Sequence, residues 1–324
     1  MRAVLCKELG APDVLTVGEM PEPQPQRGEV LVEVAAAGVN FPDVLMVAGA
    51  YQVQVPPPFV PGHELAGTVV AVGEDVTDFE VGQRVAGNLP WGAFAERVSV
   101  LAEALVPVPD EIDLGEAAAM LLTYSTSHYA LKARANLQHH ETVVVLGAAG
   151  GVGIAAVQIA KQLGARVIAA ASSAEKLEFC RENGADEIIN YAEEDLKGRI
   201  RELTGGQGAD VVFDPVGGSV TEAALRATAW NGRLLVVGFA SGEIPRIPLN
   251  LPLLKGCQIV GVFWGSFVAR DPKQHRENVR ELFEWLEQGR LRVHIDGTFP
   301  FERASEALAC LAERRVRGKV VLEP

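Results

Sequence analysis

Cysteine is scarce in this sequence and never clustered. The four cysteines, Cys6, Cys180, Cys257 and Cys310, stand singly with no Cys-x-x-Cys pair. Neither a disulfide framework nor a cysteine-rich zinc lobe is expected, and all four read as reduced packing residues. Positive charge is also short: 29 Lys and Arg face 42 Asp and Glu, for a net charge of −13. A chain this acidic presents no general field for nucleic acid, so an anionic ligand has to be held locally. Long apolar runs are missing. The longest, Val143 to Ala160, is interrupted by glycines and Gln158 and fits a membrane span poorly. The opening MRAVLCKELG has no apolar core followed by a small-residue cleavage site, so no secretory signal is read and the cytoplasm is the expected compartment. Internal repeats and low-complexity segments are not found.

One stretch stands out, Thr142 to Gly164, TVVVLGAAGGVGIAAVQIAKQLG. Val143 to Leu146 reads as a buried strand, Gly147 to Gly151 as a tight turn, and Val152 to Leu163 as a helix. The free N–H groups and dipole at that helix start favour an anion, and a dinucleotide pyrophosphate fits against Ala149, Gly150, Gly151 and Val152. The fingerprint G-x-G-x-x-G is filled as Ala148, Gly150 and Gly153. Gly150 allows close approach of a phosphate and Gly153 allows helix and strand to pack, while alanine at the first position departs from the pattern. From this stretch alone, a compact α/β connection without a ligand is the lesser alternative.

A length of 324 residues suggests two domains. From Arg2 to about Val106, short alternating or β-branched runs separated by glycines and prolines indicate a β-rich, barrel-like part. Helix formers dominate from Asp113 to Leu137. Strands then alternate with helices: Ala165–Ala171, Glu187–Asn190, Val211–Asp214, Gly232–Val237 and Gln258–Phe263 join Val143–Leu146 in a doubly wound parallel sheet, with ligand expected at the carboxyl ends of the strands. The tail, helical over 272–288 and ending in a strand over 319–322, is expected to rejoin the first part. The division is therefore 1–118 with 265–324, and 119–264.

The chain resembles the medium-chain dehydrogenase/reductase superfamily, most closely its zinc-independent NADPH:quinone oxidoreductase branch. The resemblance runs nearly end to end, through GVNFPD at Gly38–Asp43, PGHELAGTV at Pro61–Val69, VGQRVAG at Val81–Gly87, AAGGVG at Ala148–Gly153 and RGKVVL at Arg317–Leu322. It implies an α/β chain with a GroES-like β-rich catalytic domain and a Rossmann domain. Where zinc-dependent relatives place cysteine ligands, this chain has Asn40 and Leu122, so no metal is expected, because a catalytic zinc needs three protein ligands. His63 and Glu64 then read as residues paired within the fold.

The second strand of the nucleotide unit ends in Ser172 and Ser173, with Lys176 a turn later, instead of the acid that accepts from the ribose 2′-hydroxyl of NAD. Hydroxyls and an ammonium suit a 2′-phosphate; an ordinary serine N-cap is the alternative. Tyr191 matches a position of the 2′-phosphate pocket in this branch. NADPH is therefore the expected cofactor. The resemblance further places Asn40, Tyr51 and Thr126 around the nicotinamide, and Phe239 to Gly242, including Ser241, with Phe263, Trp264 and Gly265 on its other side. It implies hydride transfer to a small electrophilic acceptor, a quinone or related conjugated carbonyl. An enone, alkenal or enoyl-thioester reductase and a non-catalytic NADPH-binding protein remain alternatives. A homodimer paired through Gln258–Phe263 is also implied. Lys319 reads as a solvated strand-edge charge, and Asp214 either borders the cofactor or makes an Asp–Pro turn.

Overall fold

β-branched residues set the strands and glycines end them. The computed structural model describes residues 1–324. In chain order the elements are β1 (Arg2–Cys6), β2 (Leu15–Glu19), β3 (Glu29–Val39), α1 (Phe41–Val47), β4 (Glu64–Val72), β5 (Arg84–Asn88), β6 (Arg97–Leu101), β7 (Leu105–Pro107) and α2 (Leu114–His128), which runs on as a π-helical segment over Tyr129–Arg134. Then come β8 (Thr142–Leu146), α3 (Gly151–Gln162), β9 (Arg166–Ala171), α4 (Ala174–Glu182), β10 (Glu187–Asn190), α5 (Leu196–Leu203), β11 (Ala209–Asp214), α6 (Ser219–Arg226), β12 (Thr228–Val236), α7 (Asn250–Lys255), β13 (Gln258–Gly261) and α8 (Trp264–Arg270). The chain closes with α9 (Pro272–Glu287), β14 (Ile295–Pro300), α10 (Ala304–Ala312) and β15 (Lys319–Glu323). It divides into two compact units, Met1–Leu122 with Pro272–Pro324, and Thr123–Asp271.

The first unit is built on a seven-stranded sheet in the order β14-β15-β3-β4-β5-β7, with β6 also paired to β3. β3 is its centre because Val30, Val32 and Val34 alternate into the core and the run Ala36–Val39 is small and apolar enough to be covered on both faces. Its antiparallel register sets Gly38 opposite Glu64 of β4 and Val39 opposite Val320 of β15. One consequence is that three polar residues at the strand ends, Asn40, Glu64 and Lys319, arrive at the same place.

α9 buries His275, 2% exposed. Burial, aided by the neighbouring charge of Arg276, pushes its imidazole from 6.5 down to about 4. The unfolded chain therefore takes up a proton that the folded chain refuses between those values, and stability is lost as pH falls through that window. The loss amounts to roughly 3 kcal/mol once both forms are protonated. Urea denaturation on either side of the window should show it, and His275→Leu should remove this part of the acid sensitivity.

The second unit holds a six-stranded sheet in the order β10-β9-β8-β11-β12-β13, with every pair parallel. Four valine and leucine residues of β8 are fully buried, as the apolar run required of a strand covered on both faces. The strand order reverses beside β8, which opens a crevice at the carboxyl ends of the strands.

Candidate active site

In the first unit the backbone register gathers a buried polar cluster. Asn40 follows the last residue of β3 and opens α1, its backbone N–H donating to Asp43 Oδ2 at 2.7 Å. Its amide Nδ2 donates to Glu64 Oε1 at 2.7 Å and to the Gly38 carbonyl at 3.2 Å, and its Oδ1 accepts from Lys319 Nζ at 2.5 Å. Lys319 also donates to Glu64 Oε1 at 2.7 Å and to the Val39 carbonyl at 3.1 Å, while Glu64 Oε2 accepts the Leu122 N–H at 2.6 Å. Asn40, Glu64 and Lys319 are 3%, 0% and 3% exposed. All three ammonium donors and both amide hydrogens are thereby used, which leaves Asn40 a single lone pair for anything outside the cluster. Asn40 can accept from a ribose hydroxyl, but it has no donor left for a developing oxyanion. Glycine is required at 38, since a Cβ there would lie on the Glu64 carboxylate and 2.7 Å from the Ala118 carbonyl.

Lys319 is thus not the solvated edge charge its sequence suggests. β15 lies between β14 and β3 instead of at an edge, and the first residue of the strand faces the Glu64 carboxylate.

Beside this cluster His63 Nδ1 meets Asp43 Oδ1 at 2.5 Å, and the Tyr51 ring stands edge-on to the imidazole, with centroids 5.6 Å apart. Burial works to lower the His63 pKa, but the charge and hydrogen bond of Asp43, with a further push from Glu64, outweigh it and hold the imidazole above its ordinary value. Burial, with the charge of Asp43, raises the Tyr51 phenol. The spacing of Asn40 and Asp43 is that of a helix capping box, a signal that could have drawn attention to Asp43.

In the second unit the residues expected to hold a nucleotide follow the carboxyl ends of successive parallel strands, from β10 at one edge of the sheet to β13 at the other. Gly147, with φ +57°, makes the tight turn after β8, so the fingerprint's first position, Ala148, carries no backbone strain. A Cβ on Gly150 would find only the Gly147 carbonyl, at 3.5 Å; the outward side of the turn is open to a close ligand. Gly153 is the opposite case: a Cβ there would overlap the Gly147 carbonyl and lie 2.8 Å from Ala148 Cα. Gly153→Ala should push α3 off the turn and lower the melting temperature, as calorimetry would measure. Ala149 is buried and Gly150, Gly151 and Val152 are partly exposed. Ser127 Oγ donates to the Val152 carbonyl at 2.8 Å, tying α2, one residue after buried Thr126, to the first turn of α3.

Ser172 and Ser173 follow β9, and Ser173 Oγ accepts from the Lys176 N–H at 3.4 Å, so Ser173 is the N-cap of α4. As an acceptor there it keeps its own O–H to donate. Tyr191 follows β10, and Phe239 and Ser241 follow β12. Phe263 follows β13 and is largely exposed, with Trp264 and Gly265 opening α8. Asp214 borders this row but is committed to the fold: Oδ1 accepts the N–H groups of Val216 and Gly217, each at 2.9 Å, and Oδ2 accepts from Thr221 Oγ1 at 2.5 Å.

Residues 26–110 match the family profile described as alcohol dehydrogenase GroES-like domain, and residues 151–288 match that described as zinc-binding dehydrogenase. The chain is 41% identical to a quinone oxidoreductase-like protein 2 homolog of Nematostella vectensis, over 99% of this chain and 88% of that protein. It is 38% identical to a quinone oxidoreductase of Pseudomonas aeruginosa, over 97% of each. Among solved structures it resembles the Escherichia coli quinone oxidoreductase complexed with NADPH, with a TM-score of 0.93 and 30% identity over the whole of both chains.

Proposed function

We propose that this chain, which belongs to the medium-chain dehydrogenase/reductase superfamily in its quinone oxidoreductase-like branch, is an NADPH-dependent reductase of quinones or related conjugated carbonyls that works without zinc. The observation that carries the cofactor choice is the row at the strand ends. The start of α3 offers N–H groups above an open glycine turn, while the end of β9 offers Ser172 and Ser173, with Lys176 a turn later, and no carboxylate at the strand end itself, the nearest acid being Glu175 in the first turn of α4. Tyr191 completes the side that receives the 2′-phosphate, and Phe239, Ser241, Phe263, Trp264 and Gly265 the side toward the nicotinamide. When bound, NADPH supplies hydride; the chain's tasks are to orient it, to exclude water and to protonate the acceptor. Thr126 holds the carboxamide, Asn40 accepts from the ribose through its remaining lone pair, and the Tyr51 hydroxyl donates to the acceptor oxygen.

Zinc does not fit the residues present. Leu122 has no donor side chain, the Asn40 amide is spent on its neighbours, and the Lys319 ammonium already supplies the positive charge beside Glu64. Ser172→Asp should weaken NADPH binding by about tenfold or more, a cost of about 1.4 kcal/mol, and favour NADH. Titration calorimetry with both nucleotides checks this, and equal affinity for the two in the unaltered protein would count against the 2′-phosphate site.

We also propose a homodimer. β13 is an edge strand, and Trp230, Leu253, Leu254 and Ile259 on that side of the sheet are exposed. An apolar edge left open invites pairing, and two copies of the same edge satisfy each other. Sedimentation should give twice the chain mass; a monomer at micromolar concentration would exclude this pairing.

A further inference from the structure

Beside the buried cluster of the first unit stands a ring nitrogen with no partner in the chain. His63 Nε2 is buried and has no hydrogen-bond partner, although the residue is only 7% exposed. A buried ring nitrogen left alone costs about 1–3 kcal/mol, and a core histidine with no role has no reason to keep that cost. Its other nitrogen is anchored on a fully buried carboxylate, Asp43 Oδ1, at 2.5 Å. The imidazole is thus clamped at one end and unpartnered at the other, with the Tyr51 ring against it.

Building on the reductase reading, we infer that Asp43 and His63 form a proton store behind Tyr51, supplying the proton that the acceptor needs in addition to hydride. The step balances. The acceptor's conjugated carbonyl system receives two electrons and a hydrogen as hydride from the dihydronicotinamide; its oxygen then takes the Tyr51 O–H proton, and the His63 Nε2–H bond breaks to return a proton to the phenolate through an intervening solvent molecule, since Nε2 and the phenol share no hydrogen bond in the resting chain. Neutral His63 regains its proton from solvent before the next turnover. His63 does not touch the acceptor and acts through Tyr51, so it is a positioning residue.

The charges around the imidazole support this assignment. Asp43 on α1 faces it directly, Glu64 on β4 adds negative charge, Lys319 on β15 neutralises Glu64, and Tyr51 is the remaining titratable neighbour. The balance favours imidazolium despite burial, which keeps the proton available above the ordinary histidine range.

Two measurements test the store, using the full chain as wild type, His63→Gln, Asp43→Asn and Tyr51→Phe. Nitrogen NMR of the ligand-free protein should show the His63 imidazole titrating above the ordinary histidine value, and Asp43→Asn should lower that titration. With NADPH and cyclohexenone, wild-type kcat should fall as pH rises through the same titration. In His63→Gln the fall should vanish, with neutral-pH kcat reduced about 10- to 100-fold, KM unchanged and the solvent isotope effect altered. A His63→Gln enzyme with the wild-type pH profile and isotope effect would overturn the store while leaving the reductase reading intact. An imidazole titration indifferent to Asp43→Asn would also overturn the store, even without turnover. Absence of turnover by the wild type on every conjugated carbonyl would instead sink the reductase reading, and the relay with it.

Discussion

Lys319→Met should destabilise the first unit by about 3–5 kcal/mol, the cost of leaving a buried partner charge uncompensated. The Glu64 carboxylate is 0% exposed and would keep only the Asn40 amide and the Leu122 N–H; Asn40 Oδ1 would lose its donor at the same time. Lys319, 255 residues from Glu64 along the sequence, begins β15, which joins β14 to β3. The substitution therefore also loosens the closing strand. Thermal melting should fall by about 10 °C. Glu64→Gln combined with Lys319→Met should cost clearly less than the two single changes added, because a neutral amide asks for no counter-charge. A Lys319→Met protein that melts within a degree or two of wild type would show that the ion pair contributes nothing to the fold.

Tyr51→Phe should lower kcat by about ten- to a thousand-fold, the range for loss of a positioned proton donor. Melting should change little, because the phenyl ring can keep the edge-on contact with His63 and no packing volume is removed. Binding of NADPH by calorimetry should be unaltered, since the lost hydroxyl serves the acceptor and not the nucleotide. The combination separates the roles: unchanged stability and nucleotide affinity with reduced turnover places Tyr51 in proton delivery, whereas unchanged turnover assigns the proton to solvent.

Much of the second unit was legible because its signals are local. Four apolar residues, a glycine turn and a helix identify β8 and α3 without reference to any other part of the chain, and the remaining strands repeat that grammar. Even there, the meaning of Ala148 needed the backbone: the positive φ falls one residue earlier, at Gly147, so alanine is accommodated. The first unit was harder to read. Asn40, His63 and Glu64 stood out by their motifs, but Lys319 looked like a surface lysine because its partners lie at the far end of the sequence and are brought to it only by the β15, β3 and β4 register. The exhaustion of the Asn40 donors has the same origin. Hydrogen-bond capacity is a property of the assembled neighbours, and the single letter for asparagine gives no hint of how many of its four bonds remain.

The claim that hydride passes from NADPH to a conjugated carbonyl without a metal is tested most directly by single-turnover kinetics. The purified chain, incubated with a strong zinc chelator and then loaded with NADPH, is mixed rapidly with phenanthrenequinone while nucleotide oxidation is followed. Oxidation should be fast and should proceed at the same rate with and without the chelator. No oxidation with this acceptor, or oxidation abolished by the chelator and restored by added zinc, would contradict the account.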